Sequence, residues 1–289
     1  MKKPLFTGVC TALVTPFIGD HVNYPMAEQL LRRQINSGVQ SVVLAGTTGE
    51  APTLSDKEKI ELFKRCKEFA GGNCKIIAGT GTNATEHTIA LSQAAEAVGV
   101  DALLVVSPYY NKANANGLYE HYTAIANAVS IPIIIYNVPS RTGVDIPISV
   151  YKQLSALPNI AGVKEASTNI SKQLHIHADC GPDFSVWSGN DDQIVPSISL
   201  GGRGVISVLS NIFPAETVAM TEAALAGDFH SAAALQRQLL PITDLLFSDV
   251  NPIPVKYAMG CLGYDCGDCR LPLCKPTREL QQKIKTFFQ

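Results

Sequence analysis

The sequence predicts an α/β protein: a (β/α)8 TIM barrel with an appended C-terminal helical bundle. Three observations predict it. Eight short, β-rich apolar runs recur through the first three-quarters of the chain, helical stretches separate them, and the strand signal stops after about residue 227. The runs lie at 8–14, 41–45, 75–78, 101–106, 132–136, 160–164, 184–187 and 204–208. Their spacing leaves room for about one strand and one helix per unit.

Each element has a local reason. Val42-Val43-Leu44 and Ile133-Ile134-Ile135 are apolar without alternation, as parallel strands buried on both faces require. Ser55 followed by Glu58 is a capping box that opens a helix over 56–69, and Ile60, Leu62, Phe63 and Cys66 form its barrel-facing stripe. The stretch 85–98 repeats the pattern, with Gly99 as its stop. Beyond the barrel, Phe229–Phe247 reads as one helix interrupted near Pro241, with further helical pieces over 255–259 and 277–287. The expected division is a catalytic barrel over 1–227 and a helical region over 228–289. A doubly wound sheet is the main competitor. It loses ground because Thr11-Ala12-Leu13-Val14-Thr15-Pro16 provides no Gly-rich phosphate turn after the first run.

Composition narrows the function classes. The chain carries 23 Lys+Arg against 25 Asp+Glu, a net charge of −2 without basic blocks, which argues against nucleic acid as a partner. No apolar run approaches the roughly 20 residues of a membrane span, and the start of the chain lacks the apolar region of a signal peptide. The expectation is a cytoplasmic protein with reduced thiols. Its eight cysteines include Cys261, Cys266, Cys269 and Cys274. Cys266 and Cys269 form a C-x-x-C that could hold a metal or a cluster. The irregular spacing of the fourth cysteine, and the lack of a second pair, favour free thiols in a loop. His87 and the His175/His177 pair resemble metal ligands only superficially, because a His-x-His on a helix sends its rings to different faces. No metal is assigned.

In a parallel barrel the chemistry belongs at the carboxyl ends of the strands. The second run ends in Gly46-Thr47-Thr48-Gly49-Glu50, the fourth in Ser107-Pro108-Tyr109-Tyr110-Asn111, and the fifth in Tyr136-Asn137-Val138-Pro139, with Arg141 just beyond. The sixth ends in Lys164-Glu165 and the seventh in Ser188-Gly189-Asn190-Asp191. Lys164 closes an otherwise apolar strand, where desolvation disfavours an ammonium over a neutral amine able to attack a carbonyl. The competing reading is a lysine that snorkels out and pairs with Glu165. Tyr136, at the matching end of the neighbouring strand, could shuttle protons, or could be a core tyrosine with a tied hydroxyl. Thr47 and Thr48 offer hydroxyl and backbone donors for a carboxylate, or else simply form a turn and N-cap. Arg141 has a fork that matches a second carboxylate, though a surface ion pair is the commoner use.

Taken together, these segments resemble the dihydrodipicolinate synthase family of the pyruvate-dependent class I aldolase superfamily. The likeness runs from Gly8-Val9-Cys10-Thr11 to Arg270-Leu271-Pro272-Leu273, nearly the whole chain. Its marks are Gly-x-Thr-Gly-Glu at 46–50, the Tyr136 motif and a Schiff-base lysine 28 positions later. The segment Tyr136-Asn137-Val138-Pro139-Ser140-Arg141-Thr142-Gly143 separates this family from the sialic-acid lyases. The resemblance implies condensation of pyruvate with L-aspartate 4-semialdehyde through an imine on Lys164, with no other cofactor. It implies a proton relay of Thr47, Tyr136 and Tyr110, the last donated across a dimer interface. Thr48 would hold the pyruvate carboxylate, Arg141 the aldehyde's carboxylate, and Gly189 and Ile206 would line the pocket. A homotetramer, a dimer of dimers, is the implied assembly.

The resemblance also bears on regulation. Lysine-regulated members use a histidine on the helix after the Gly-Thr-Thr-Gly-Glu loop and a glutamate after the third strand. Asn83 and Tyr109 fit that pattern, but Lys59 and His87 stand at the histidine and glutamate positions. Weak or absent inhibition by lysine is the expectation, with Glu86 too far around its helix to substitute.

Overall fold

The continuous apolar runs become strands because each is covered on both faces. The computed structural model describes residues 3–289. Its barrel strands are β1 (Gly8–Ala12), β2 (Ser41–Leu44), β3 (Lys75–Gly79), β4 (Ala102–Val106), β5 (Ile133–Asn137), β6 (Ile160–Glu165), β7 (Ser185–Ser188) and β8 (Gly204–Ser207). They close in sequence order, all parallel, with β1 paired to both β2 and β8. The predicted (β/α)8 architecture is therefore the one found, and each run lies within two residues of its strand. Ile133 and Ile135 pack outward under the helices, while Ile134 and Tyr136 join Cys10, Val43, Leu104, Trp187 and Ile206 inside the barrel. Each such isoleucine contributes about 1.5–3 kcal/mol by burial. At the lower end, Phe6 stacks on Trp187 with ring centroids 4.8 Å apart and accepts the indole N–H on its carbonyl. The barrel is thus a packed core with a floor, and ligand access lies at the opposite end.

Four strands, β3, β5, β6 and β7, run one residue beyond their apolar stretch. Asn137 and Glu165 extend β5 and β6 and pair in register, and the Asn137 amide donates to both Glu165 oxygens at 2.9 and 3.1 Å. An irregularity between Ile133 and Ile134 then places Tyr136 opposite Lys164. Gly162 is needed in this strand, since a Cβ there would lie 1.9 Å from the Ser185 carbonyl oxygen.

The capping box is present: Ser55 Oγ accepts from Glu58 N–H, the Glu58 carboxylate accepts from Ser55 N–H, and the helix runs Asp56–Ala70. The next predicted helix spans Thr85–Ala97. In the C-terminal region, helices Phe229–Phe247, Ile253–Cys261 and Arg278–Phe287 appear where expected. One expectation fails: the first of them continues through Pro241. Pro241 and Arg237, whose carbonyl loses its N–H partner, both lie on the exposed side, where water can satisfy that carbonyl. Leu239, Ile242, Leu246, Val255, Met259, Leu280 and Ile284 share one apolar cluster with the outward faces of the barrel strands.

Candidate active site

Alternation along β5 and β6 decides which side chains enter the barrel. Tyr136 points inward with Ile134, and its register partner Lys164 does the same, placing Nζ 4.4 Å from the Tyr136 ring centroid. Both are buried, at 5% exposure for Lys164 and 6% for Tyr136. Glu165 turns the other way. It accepts from Asn137, from Ser167 N–H at 2.8 Å and from the Tyr151 hydroxyl at 3.4 Å, and lies 4.0 Å from Lys172 Nζ. The alternative of a Lys164–Glu165 surface pair is therefore not what the fold builds. A second buried carboxylate, Asp191, lies beyond the end of β7. One of its oxygens accepts from the N–H groups of Val208 and Leu209, both at 2.9 Å, while the other is buried without a hydrogen bond. Burial raises its pKa, opposed first by the nearby Ser207 hydroxyl and then by those N–H groups and the Lys164 charge.

Above Tyr136 opens a cavity of about 680 Å³ whose wall includes Thr47, Tyr136, Val138, Arg141 and Asn251. Three of the sequence-derived residues thus share one cavity. Thr48 is buried beside it, and its hydroxyl accepts from the Asn251 side-chain amide at 2.9 Å. Arg141 lies in the short helix Pro139–Thr142 and donates to the Asn251 carbonyl at 3.4 Å. Gly189 donates its N–H to the Glu165 carbonyl at 2.7 Å, and a Cβ there would meet that of Ala166 at 2.6 Å. Ile206 is fully buried in the barrel interior, in register with Cys10. Tyr110 is not brought to the others: it is 90% exposed and holds the left-handed φ of +72°, uncommon for a bulky residue.

The profile of the "Dihydrodipicolinate synthetase family" matches residues 5–289. The chain belongs to this family. Among curated relatives, 4-hydroxy-tetrahydrodipicolinate synthase of Acetivibrio thermocellus is 44% identical over 99% of both chains. The enzyme of the same name from Kosmotoga olearia is 43% identical over 99% of this chain and 98% of its own. Among solved structures, dihydrodipicolinate synthase from Aquifex aeolicus superposes with a TM-score of 0.96 at 40% identity, covering 98% of this chain and 97% of that one. A structure described as the first monomeric dihydrodipicolinate synthase variant matches with a TM-score of 0.96 at 37% identity, covering 98% and 95%.

Sequence reasoning missed Asn251 and the Glu50–Lys256 pair, because both reach from the C-terminal region to the loop after β2. Glu50, itself in a left-handed conformation, pairs with Lys256 at 2.8 Å and accepts the Arg270 N–H at 2.8 Å. Arg270 binds the Glu58 carboxylate through two nitrogens, at 2.6 and 3.0 Å. No local pattern links residues some 200 positions apart. The four clustered cysteines line a separate depression of about 470 Å³ as free thiols, and burial raises Cys266 and Cys269 to about 12. Among the described residues, no group of three or more His, Cys, Asp or Glu could hold a metal. His175 is exposed while His177 is partly buried, as expected for rings on different faces.

Proposed function

We propose that this chain condenses pyruvate with L-aspartate 4-semialdehyde to give 4-hydroxy-tetrahydrodipicolinate, the first committed step of diaminopimelate and lysine synthesis. The observation that carries the reading is a buried lysine on the face of a buried tyrosine at the carboxyl ends of adjacent barrel strands, in a chain of this family. In this reading the neutral amine of Lys164 attacks C2 of pyruvate and expels water to form an imine. Loss of a methyl proton gives an enamine, whose carbon attacks the aldehyde. The amine of the second substrate then displaces Lys164, closing the ring and restoring the free lysine. The protonated imine is the electron sink, so the chemistry calls for no separate cofactor.

The roles are those that the family resemblance implies for these positions. Tyr136 and Thr47 face one cavity and move protons, completed by Tyr110 from a neighbouring subunit. Thr48 takes the pyruvate carboxylate, Arg141 that of the aldehyde, and Gly189 and Ile206 shape the pocket floor. The exposure of Tyr110 supports its service to a partner in a dimer, and the family resemblance implies a dimer of dimers; the catalytic barrel is taken as 1–227 and the helical region as 228–289. Among the described residues no helix is long and apolar enough to cross a membrane. With a net charge of −2, this supports a cytoplasmic enzyme without a nucleic-acid partner.

Borohydride reduction in the presence of pyruvate, followed by peptide mass spectrometry, tests the reading. The expected adduct is on Lys164 and disappears in Lys164→Ala. An adduct on another lysine, or none, overturns it.

A further inference from the structure

We infer that Asn251, outside the barrel, is a positioning residue that sets the direction of the Thr48 hydroxyl. The inference rests on the proposed role of Thr48 as a pyruvate carboxylate donor. Asn251 is 6% exposed and sits in the turn between helices Phe229–Phe247 and Ile253–Cys261. Its Nδ2 donates to Thr48 Oγ1 at 2.9 Å across 203 positions of sequence.

A hydroxyl has one proton and two lone pairs. When Asn251 donates to a lone pair, the Thr48 proton is left for an acceptor supplied from outside the protein. Without that donor, the same hydroxyl can turn its proton toward a protein carbonyl and present only lone pairs to a carboxylate. The reverse amide orientation, with Thr48 donating to Oδ1, would strand both hydrogens of the buried amide nitrogen. In the orientation found, Nδ2 uses one of its hydrogens on Thr48, and Oδ1 is the buried atom left without a partner. The main chain of the same residue also accepts from Arg141. One turn from the C-terminal region therefore touches the proposed donors for both substrate carboxylates, yet its side chain addresses only Thr48.

That asymmetry makes the test specific. Asn251→Leu keeps the branched shape and the backbone carbonyl, removes the donor to Thr48, and removes the unpaired Oδ1. The thermal midpoint should hold or rise, while the pyruvate concentration for half-maximal borohydride trapping at Lys164 should increase roughly fivefold to tenfold, the worth of one hydrogen bond. The KM for the aldehyde substrate should change less than that for pyruvate. In a Thr48→Val background the same substitution should change pyruvate dependence less than twofold, because the two residues act as one unit. An unchanged pyruvate dependence in Asn251→Leu, or the full loss repeated in the Thr48→Val background, overturns the inference. Absence of any Lys164 adduct in the unaltered enzyme would instead overturn the functional reading on which it rests.

Discussion

Glu50 and Lys256 form an ion pair at 2.8 Å in which the side chains are 0% and 2% exposed. The pair joins the loop after the second barrel strand to a helix of the C-terminal region. Lys256 Nζ also donates to the Asp268 carbonyl at 3.0 Å and lies 4.2 Å from the Phe17 ring centroid. Removing one member strands a buried charge, whereas removing both removes the problem as well. Lys256→Met should therefore cost about 3–5 kcal/mol in denaturant unfolding. Adding Glu50→Gln should recover part of that loss. Additive losses would mean that the two charges are not coupled.

Arg270 and Glu58 give the same junction a pH dependence. Two hydrogen bonds from Arg270, with those from Ser55, hold the Glu58 carboxyl at about 2, below its ordinary value. A lowered folded-state pKa means that the unfolded chain binds the proton more readily. The contribution is present above about pH 4.5 and is lost as pH falls toward about 2. Because the pair is partly solvated, it is worth roughly 1 kcal/mol. Glu58→Gln should lower stability at neutral pH and flatten the acid limb between those two values, as read from unfolding curves at stepped pH. An unaltered acid limb would assign the transition to other carboxylates.

The contact between Lys164 and Tyr136 separates binding from proton transfer. Tyr136→Phe keeps the ring beside Lys164 and removes the hydroxyl. Borohydride should still trap pyruvate on Lys164, while kcat should fall by about a hundredfold or more, the usual scale for losing a general acid–base group. A variant with near-normal kcat would show that the hydroxyl takes no part in the reaction.

The eight strands were legible because burial on both faces leaves an unbroken apolar record, as in Ile133-Ile134-Ile135. Lys164 was legible for the opposite reason, being a charge at the end of such a record. Ser55 and Glu58 announced their helix through chemistry confined to four residues. Asn251 and Lys256 carried no comparable mark. Their partners, Thr48 and Glu50, lie some 200 positions earlier, and only closure of the barrel brings each pair together. Pro241 misled because propensity cannot foretell that the carbonyl it frees faces water. Thr48 and Arg141 were each found as isolated candidates, but their shared contact through one turn belongs to tertiary structure alone.

Tyr110, at 90% exposure, gives a single chain no means of using its hydroxyl within the cavity. If it serves a neighbouring site, Tyr110→Phe should lower kcat without lowering stability, and the smallest active species should be a dimer. Sedimentation at assay concentration checks this. A fully active monomer would remove Tyr110 from the relay.

Lysine should inhibit this enzyme weakly or not at all. Asn83, Tyr109, Lys59 and His87 all line the same cavity wall, so the four positions compared with lysine-regulated members do lie together. Their charges are wrong for a ligand with two ammonium groups. Lys59 is only 7% exposed, and burial lowers its pKa, with Asp56 acting in the opposite direction. The Asp56 carboxylate also lines the cavity but is already engaged, at 3.8 Å by Lys59 and at 2.8 Å by His87. Glu86 does not replace the missing acid: the helix begins at Thr85, leaving Glu86 exposed and outside the wall that His87 joins. A like charge where an acceptor is needed costs both Coulomb energy and specificity. Titrating lysine into a steady-state assay should leave the rate nearly unchanged through the millimolar range, while the pair Lys59→His and His87→Glu should introduce inhibition. Strong inhibition of the unaltered enzyme at sub-millimolar lysine would mean that Asp56 leaves its two partners to bind the ligand.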